Sequence, residues 1–535
     1  MKRALLLAFA LCGCSLREPH VTAASCTSSG QCARSNVCFL GECRPPASEL
    51  SVVTAEVRPP GDSGFGMRQL PVDLRKSALN DFNVTPVVSL GGTVAQLQDG
   101  APPRPIAGAL VTLTSSTPIL KDRVEQIVSS ADAAGVFKVR VPQGAWDVLV
   151  QPPSVLPPFR APALDTAAAP VPFDISLPQP SALVASQGLL LAGGQPLPGA
   201  SVTALDAQGG PLSAPTVSQA DGGFALSLPP GTSQYQLQVG PAAAGAGGAD
   251  AGPGPSAPTP DPLPTYDPVQ VPPATPLPLT VPLPLPPASI VNGIVLDSVG
   301  NPVVSAVVFA RSTSTSSGWT LSRSVATGAD GTYALKLRDG TYAMEAAPLA
   351  DPNAPALSIE KPVTVAGGAV VDFTCPPKLR RFGLVVGPDG RPLGANVQII
   401  ATRLADRLVT TRSAFTLATD ANGIYHLVAD SGVWRLEVVP PAGSSLPRKI
   451  VQVVLDGPDA GETALPAIQI SPALHAVGSV CGGACRTDTV VAGATVSFYS
   501  LDSNGRSVLL GSAVSDRSGR YEAILPDVAD PNAGP

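Results

Sequence analysis

Asp330-Gly331-Thr332-Tyr333-Ala334-Leu335-Lys336-Leu337-Arg338-Asp339-Gly340-Thr341-Tyr342-Ala343-Met344 is the stretch on which the fold turns. Asp330-Gly331 marks a tight turn, because glycine tolerates positive φ and an Asx side chain bonds the local backbone. Behind it Tyr333, Leu335 and Leu337 alternate with Ala334 and Lys336, the period-2 pattern of a strand with one buried face. Asp339-Gly340 turns the chain again, and a second strand starts at Tyr342. A hairpin of this kind still has an apolar face to cover. A second sheet packed about 10 Å away covers it, predicting a sandwich of roughly 90 residues.

The same marks recur outward from this stretch at about 90 to 105 residues, the spacing of a module array. Each unit opens on a glycine strand: Gly92-Thr93-Val94, Gly188-Leu189-Leu190, Gly293-Ile294-Val295, Gly383-Leu384-Val385 and Gly478-Ser479-Val480. A small pair then leads into a second strand: Gly108-Ala109, Gly199-Ala200, Ser305-Ala306, Gly394-Ala395 and Gly493-Ala494. A turn delivers the aromatic: Gly135-Val136-Phe137, Gly222-Gly223-Phe224, Gly331-Thr332-Tyr333, Gly423-Ile424-Tyr425 and Gly519-Arg520-Tyr521. Trp146, Tyr342 and Trp434 open the following strand in three units. Three marks in fixed order, five times over, define an all-β tandem array.

The order Gly-x-Val, Pro-x-x-Gly-Ala-x-Val, Asp-x-x-Gly-x-Phe/Tyr, Gly-x-Tyr/Trp-x-Leu resembles the carboxypeptidase regulatory-like domain family. Asp132, Asp420 and Asp516 stand three residues before the turn glycine, while Asp221 and Asp330 stand immediately before it. Pro198 and Pro392 match the upstream proline; the other units depart from it or displace it. The resemblance covers the chain from about residue 86 onward. It implies a transthyretin-like sandwich, close in fold to some carbohydrate-binding modules, with binding or spacing roles rather than chemistry.

Composition agrees with many short strands. The 535 residues include 61 prolines and 52 glycines, so turns are frequent and long helices disfavoured. Only 14 % are charged, the formal net charge is −6, and aromatics make up 4 %. That excludes the basic, aromatic-rich surface of a nucleic-acid binder.

The N-terminus suggests an anchor. Lys2 and Arg3 precede the apolar run from Ala4 to Leu11, too short for a permanent span. Leu11-Cys12-Gly13-Cys14 resembles the lipobox of bacterial lipoproteins, which implies cleavage before Cys14 and a lipid on its thiol. An ordinary signal peptide with a stray cysteine is the competing reading. Ser15 after the cysteine resembles the pattern sorted to the outer membrane, with a periplasmic or surface face left open.

Cys26, Cys32, Cys38 and Cys43 fall within a short polar stretch that cannot bury a core, so disulfides are its expected staple. Three pairings are open, and a metal knot competes, although no CxxC pair or His partner is present. Cys481 and Cys485 could close a small loop around Gly-Gly-Ala. Cys375 is expected to behave as a small buried apolar residue.

The resulting map has a signal peptide at 1–13, a lipid-anchored Cys-rich tether at 14–48 and a linker that could hold one strand at 49–85. Sandwiches follow at 86–180, 181–240, 289–376 and 377–471. Between the second and third, residues 241–288 are Ala/Gly/Pro-rich and predict a semi-rigid spacer with a hinge, apart from a closing strand for the second sandwich near 277–285. The last unit, 472–535, has no Gly-x-Tyr/Trp strand after Tyr521. It predicts an incomplete sandwich with an exposed edge, open to a partner strand, or a chain that continues further.

No catalytic constellation emerges. Gly61-Asp62-Ser63-Gly64 resembles a chymotrypsin-like nucleophile loop, but the only histidine upstream is His20. His426 and His475 complete the histidines and offer no zinc motif. Asp420-Ala421-Asn422-Gly423 begins like a calcium loop without its bidentate Glu, which favours turn chemistry. The readings left are a non-enzymatic envelope lipoprotein acting as spacer, adhesion module or scaffold, a carbohydrate or cell-wall binder, and an accessory subunit of an envelope complex. For the second, Trp319 in the third unit's loop is the candidate ligand residue. The expected partners are the membrane through the N-terminal lipid and an envelope protein or polysaccharide, with no nucleic acid, metal or cofactor.

Overall fold

A computed structural model describes residues 37–39, 42–44, 52–74, 80–153, 156–167, 172–242, 261–271, 278–313, 318–348, 358–404, 414–457, 461–483, 489–502 and 505–526. The architecture is all-β, and among the described residues the only helical element is the 3₁₀ turn Pro180–Ala182. Five sandwiches share one plan. In the first, Val87–Gln96 pairs antiparallel with Val136–Pro142 and parallel with Ile175–Leu177. The facing sheet runs Phe159–Asp165, Ala145–Gln151, Leu110–Ser115, Gln126–Ser130.

The glycine strand and the aromatic turn belong to each other. Gly92 lies opposite Phe137, Gly188 opposite Phe224, Gly293 opposite Tyr333, Gly383 opposite Tyr425 and Gly478 opposite Tyr521. The neighbouring backbone is the second reason for the glycine. A Cβ on Gly293 would sit 1.8 Å from the Val371 carbonyl, and one on Gly478 1.8 Å from that of Asn80. Tyr333 and Tyr521 then donate their phenol hydroxyls to those same carbonyls, each at 2.7 Å.

A second recurrent device pins the loop that crosses from one sheet to the other. The hydroxyls of Ser218, Thr327, Thr419 and Ser515 accept from the amides of Ala200, Ala306, Val397 and Ala494. Each donates to a carbonyl in the preceding loop, of Leu197, Val303, Gly394 and Val491 respectively. The residue before the bonded amide is left-handed: Gly199, Ser305, Asn396 and Gly493. In the fourth unit the equivalent of the Gly-Ala pair is therefore Asn396-Val397, two residues beyond Gly394-Ala395. Ala131 stands where the hydroxyl would be in the first unit, its amide bonding Ala109 as the amides of Ser218 and Thr327 bond Ala200 and Ala306.

The fifth sandwich corrects two expectations at once. Ala473–Gly482 pairs antiparallel with Arg520–Pro526 and parallel with Phe82–Val84. Its second sheet runs Arg68–Asp73, Val52–Arg58, Thr495–Leu501, Ser507–Val514. The described residues between 52 and 84 thus belong to the fifth sandwich and are not a linker, and the edge of Thr495–Leu501 expected to be open is covered by Val52–Arg58. The physical reason is apolar alternation: Val53, Ala55, Val57, Val72, Leu74, Phe82 and Val84 are buried in the same core as Val480, Phe498 and Leu525. Six of these seven carry side chains larger than alanine's methyl, each worth about 1.5–3 kcal/mol on full burial.

In the proline tract, the described residues outside the expected closing strand also pair with the sandwiches and form no free spacer. Leu279–Leu283 closes the second sandwich beside Val184–Ala192, with Pro282 tolerated because this is an edge strand. Val269–Val271 extends that sandwich's other sheet against Tyr235–Pro241. Thr265–Tyr266, by contrast, pairs with Trp319–Thr320 of the third sandwich. Asp261 meets Lys336 at 2.5 Å, and Arg338 Nε donates to the Pro262 carbonyl at 2.9 Å. The second and third sandwiches share one continuous core through these residues. Burial of Tyr266 and Trp319 replaces the expected hinge with a staple.

Candidate functional site

Polar groups converge where the first sandwich meets the fifth. Alternation along Val52–Arg58 sends Val53, Ala55 and Val57 into the core, and Glu56 to the opposite face. That face is covered by the loop between Leu110–Ser115 and Gln126–Ser130 of the first sandwich, so Glu56 is only 1 % exposed. Arg123 from this loop donates Nε to Glu56 Oε2 and Nη2 to Oε1, both at 3.0 Å. Arg58 Nε adds a bond to Oε1 at 2.7 Å. Burial works to raise the Glu56 pKa, but the bonds from Arg123 and Arg58 outweigh it and hold the carboxyl below its ordinary value.

Gln69 registers the loop. Its Oε1 accepts from the amides of Ile119 and Leu120, each at 3.0 Å, and its Nε2 donates to the Arg123 carbonyl at 3.0 Å. Leu120 is fully buried here. The loop also reaches the fifth sandwich directly. Asp122 Oδ2 accepts from the Ser507 amide at 2.9 Å and hydroxyl at 2.7 Å, and the Arg123 guanidinium lies 4.5 Å over the Tyr499 ring. Beside them opens a cleft of about 320 Å³, with Arg123, Glu125, Gln69, Met67 and Trp146 among its walls. Burial pushes the Glu125 pKa up to about 7; Arg58 opposes this and Glu56 adds to it.

This arrangement is suited to locking two bodies together. Glu56 is already engaged by two guanidiniums, so its lone pairs are committed to the joint rather than to a reacting group. Glu125 gives the joint a group that titrates near neutrality.

The other residues singled out from sequence lie elsewhere. Trp319 is 3 % exposed and packs beside Tyr266 and Gly340, which corrects the expectation of a loop-borne ligand platform. Trp146 and Trp434 are buried as well, their indole N–H groups donating to the carbonyls of Pro142 and Asp430. Cys375 is fully buried in the third sandwich's core, and Cys481 is disulfide-bonded. Cys14, Cys26, Cys32 and Cys485 lie outside the described residues. Cys38 and Cys43 face each other in the backbone register of Val37–Phe39 and Glu42–Arg44, with their side chains outside the described part.

Ser63 donates to the Pro60 carbonyl at 2.6 Å within a turn. His426 pairs with Glu462 at 2.5 Å and His475 with Glu522 at 2.7 Å, both on exposed faces. Asp420 Oδ1 accepts from the amides of Asn422 and Ile424, each at 2.8 Å, which lowers its pKa and makes the segment a turn. Among the described residues no group of three His, Cys, Asp or Glu side chains could hold a metal ion. No described helix is long and apolar enough to cross a membrane.

Sequence reasoning missed the joint, although one signal for it was present. Asn80-Asp81-Phe82-Asn83-Val84 repeats the pattern of Val371-Asp372-Phe373-Thr374-Cys375 and Phe173-Asp174-Ile175-Ser176-Leu177, the closing strands of the third and first sandwiches. In all three the aspartate accepts from an amide of the glycine strand: Ser479 at 2.9 Å, Ile294 at 3.0 Å and Thr93 at 2.8 Å. A closing strand placed ahead of the first unit signals that it closes another.

No family model matches the chain, and no curated protein matches it. Among solved structures it is similar to a streptococcal ancillary pilin at 13 % identity, covering 53 % of this chain and 98 % of the pilin with a TM-score of 0.22. A minor pilin of Streptococcus agalactiae matches at 15 % identity over 34 % of this chain and 95 % of its own, TM-score 0.24. A DUF3823 family protein from Parabacteroides merdae matches at 17 % identity over 31 % and 99 %, TM-score 0.14. At these values the likenesses carry nothing about activity or partner.

Proposed function

We propose that this chain is a non-enzymatic scaffold of carboxypeptidase regulatory-like sandwiches, held at a bacterial envelope by a lipid on Cys14. One observation carries the reading: the array returns on itself, its first sandwich locked to its fifth through residues 52–84. Modules stapled in this way hold a fixed separation, which is what a spacer or scaffold needs and a flexible tether does not supply. Contacts between successive modules point the same way. Ser181 bonds Asp99 across the first and second sandwiches, the second and third share a core, and Ile450 of the fourth packs into the fifth.

The anchor is tested by intact-mass analysis of the protein extracted from its native membrane, beside a Cys14→Ala control. A triacylated N-terminus beginning at Cys14, lost together with membrane association in the control, is expected. An unmodified N-terminus, with both proteins equally soluble, would overturn the anchor and leave a secreted scaffold.

A further inference from the structure

We propose that the clasp made by residues 52–84 also works between molecules, seating in the fifth sandwich of a second copy and joining the chain head to tail. The acceptor takes the closing strand by the same bonds that close other units. Asp81 meets the Ser479 amide across 398 residues of sequence, and Asn80 meets the Tyr521 hydroxyl across 441. Each of these bonds has its counterpart inside the third sandwich, where donor and acceptor are 78 and 38 residues apart and belong to one module. No contact in the clasp depends on both sides belonging to one chain.

The donor is a preassembled body. Only Thr85 and Pro86 separate Phe82–Val84 from Val87–Gln96. The Val87 amide bonds the Gly64 carbonyl at 2.8 Å, and the Gln143 amide bonds Pro86 at 3.1 Å. Gly66 lies so close to Pro142 that a Cβ on it would come within 2.1 Å of that ring. With Gln69 fixed to Ile119 and Leu120, the clasp and the first sandwich move together. The acceptor is the fifth sandwich with the fourth packed against it through Ile450.

Donor and acceptor are different patches, so their union is heterologous: within one chain it closes, and between copies it propagates or closes by reciprocal exchange. Which form prevails depends on the effective concentration of the chain's own clasp against that of its neighbours. The Asp122–Ser507 and Arg123–Tyr499 contacts pass unchanged from one form to the other.

The test uses the register between the strands, in which Arg58 lies opposite Thr495. Full-length Arg58→Cys chains and isotopically labelled Thr495→Cys chains are unfolded, mixed, refolded together in detergent at increasing concentration and oxidised. The expected product is a heterodimer linked by a 58–495 disulfide peptide of mixed label, its yield rising in proportion to concentration while yields are low. An Arg58→Cys/Thr495→Cys double variant should form the same link within one chain. Formation of the link in the double variant, with none in the mixture at any concentration, would overturn exchange. Absence of the link in both would overturn the clasp register and the proposal with it.

Discussion

The third and fifth sandwiches perform the same closure from opposite ends of the sequence. In the third, Tyr333 bonds the Val371 carbonyl, Asp372 holds Ile294, and Phe373 enters the core 6.2 Å from the Tyr333 ring. In the fifth, Tyr521 bonds Asn80, Asp81 holds Ser479, and Phe82 stacks 5.6 Å from Tyr521. The local chemistry is shared; only the route taken by the chain differs. A sandwich is thus specified by which strands fit its sheets, and where those strands lie in sequence decides what else the closure ties together. In the third sandwich it ties nothing further, whereas in the fifth it fixes the first sandwich to the last.

The largest test of this contrast removes the distant strands. Deleting residues 52–84 strips six sizeable apolar side chains from the fifth core, a loss on the order of 10 kcal/mol, comparable with the whole stability of a domain. Limited proteolysis should then cut within 495–501 while the second and third sandwiches stay intact. Protection of 495–501 in the deletion would mean that the sandwich closes without the clasp.

A single side chain sharpens the comparison. Phe82→Ala and Phe373→Ala should each cost about 3–5 kcal/mol in their own sandwich. Only Phe82→Ala should also speed amide exchange at Ile119 and Leu120, because only that closure carries the joint. Equal effects of the two variants at those amides would erase the distinction.

Within the joint, Glu56→Gln removes an ionised acceptor from two guanidiniums. The cost should be about 2 kcal/mol by chemical denaturation, below that of a fully buried pair because both arginines reach solvent. Glu125 adds a pH dependence. Its pKa is about 7 in the folded joint against an ordinary 4.5, so the folded state binds more protons between those values. Its stabilising contribution is complete below pH 4.5 and is lost as pH rises through 7. Glu56, with a lowered pKa, acts in the opposite sense, its contribution falling away as pH drops through the folded value. Glu125→Gln should flatten the loss of joint stability between pH 4.5 and 7, read from exchange at Leu120. An unchanged pH profile would place the titrating group elsewhere.

The smallest expected effect lies in the turn before the second strand. Ser305 adopts φ 57° where the fifth unit has Gly493 at φ 73°. Ser305→Gly should stabilise the third sandwich by about 1 kcal/mol, and Gly493→Ser should cost the fifth a similar amount.

The sandwiches were legible because their signals are local: glycine opposite aromatic, Asx turn, period-2 strand. The Ser/Thr tie of the crossover loop was less visible, since it shows as one hydroxyl before each Asp turn and Ala131 breaks the series. The joint was hidden for a different reason. Glu56, Gln69 and Arg123 belong to no recurring motif, and their meeting depends on a pairing that spans nearly the whole chain. Trp319 misled because a tryptophan in a loop-like stretch suggests an exposed platform. Its cover, Tyr266, comes from a proline-rich tract whose composition suggests a spacer.

Hydrogen–deuterium exchange of the intact chain tests the central claim most directly. If residues 52–84 close the fifth sandwich, amides in Val52–Arg58 and Thr495–Leu501 will be protected and will lose protection together as denaturant is added. Fast exchange across 52–84, with 495–501 still protected, would contradict the account.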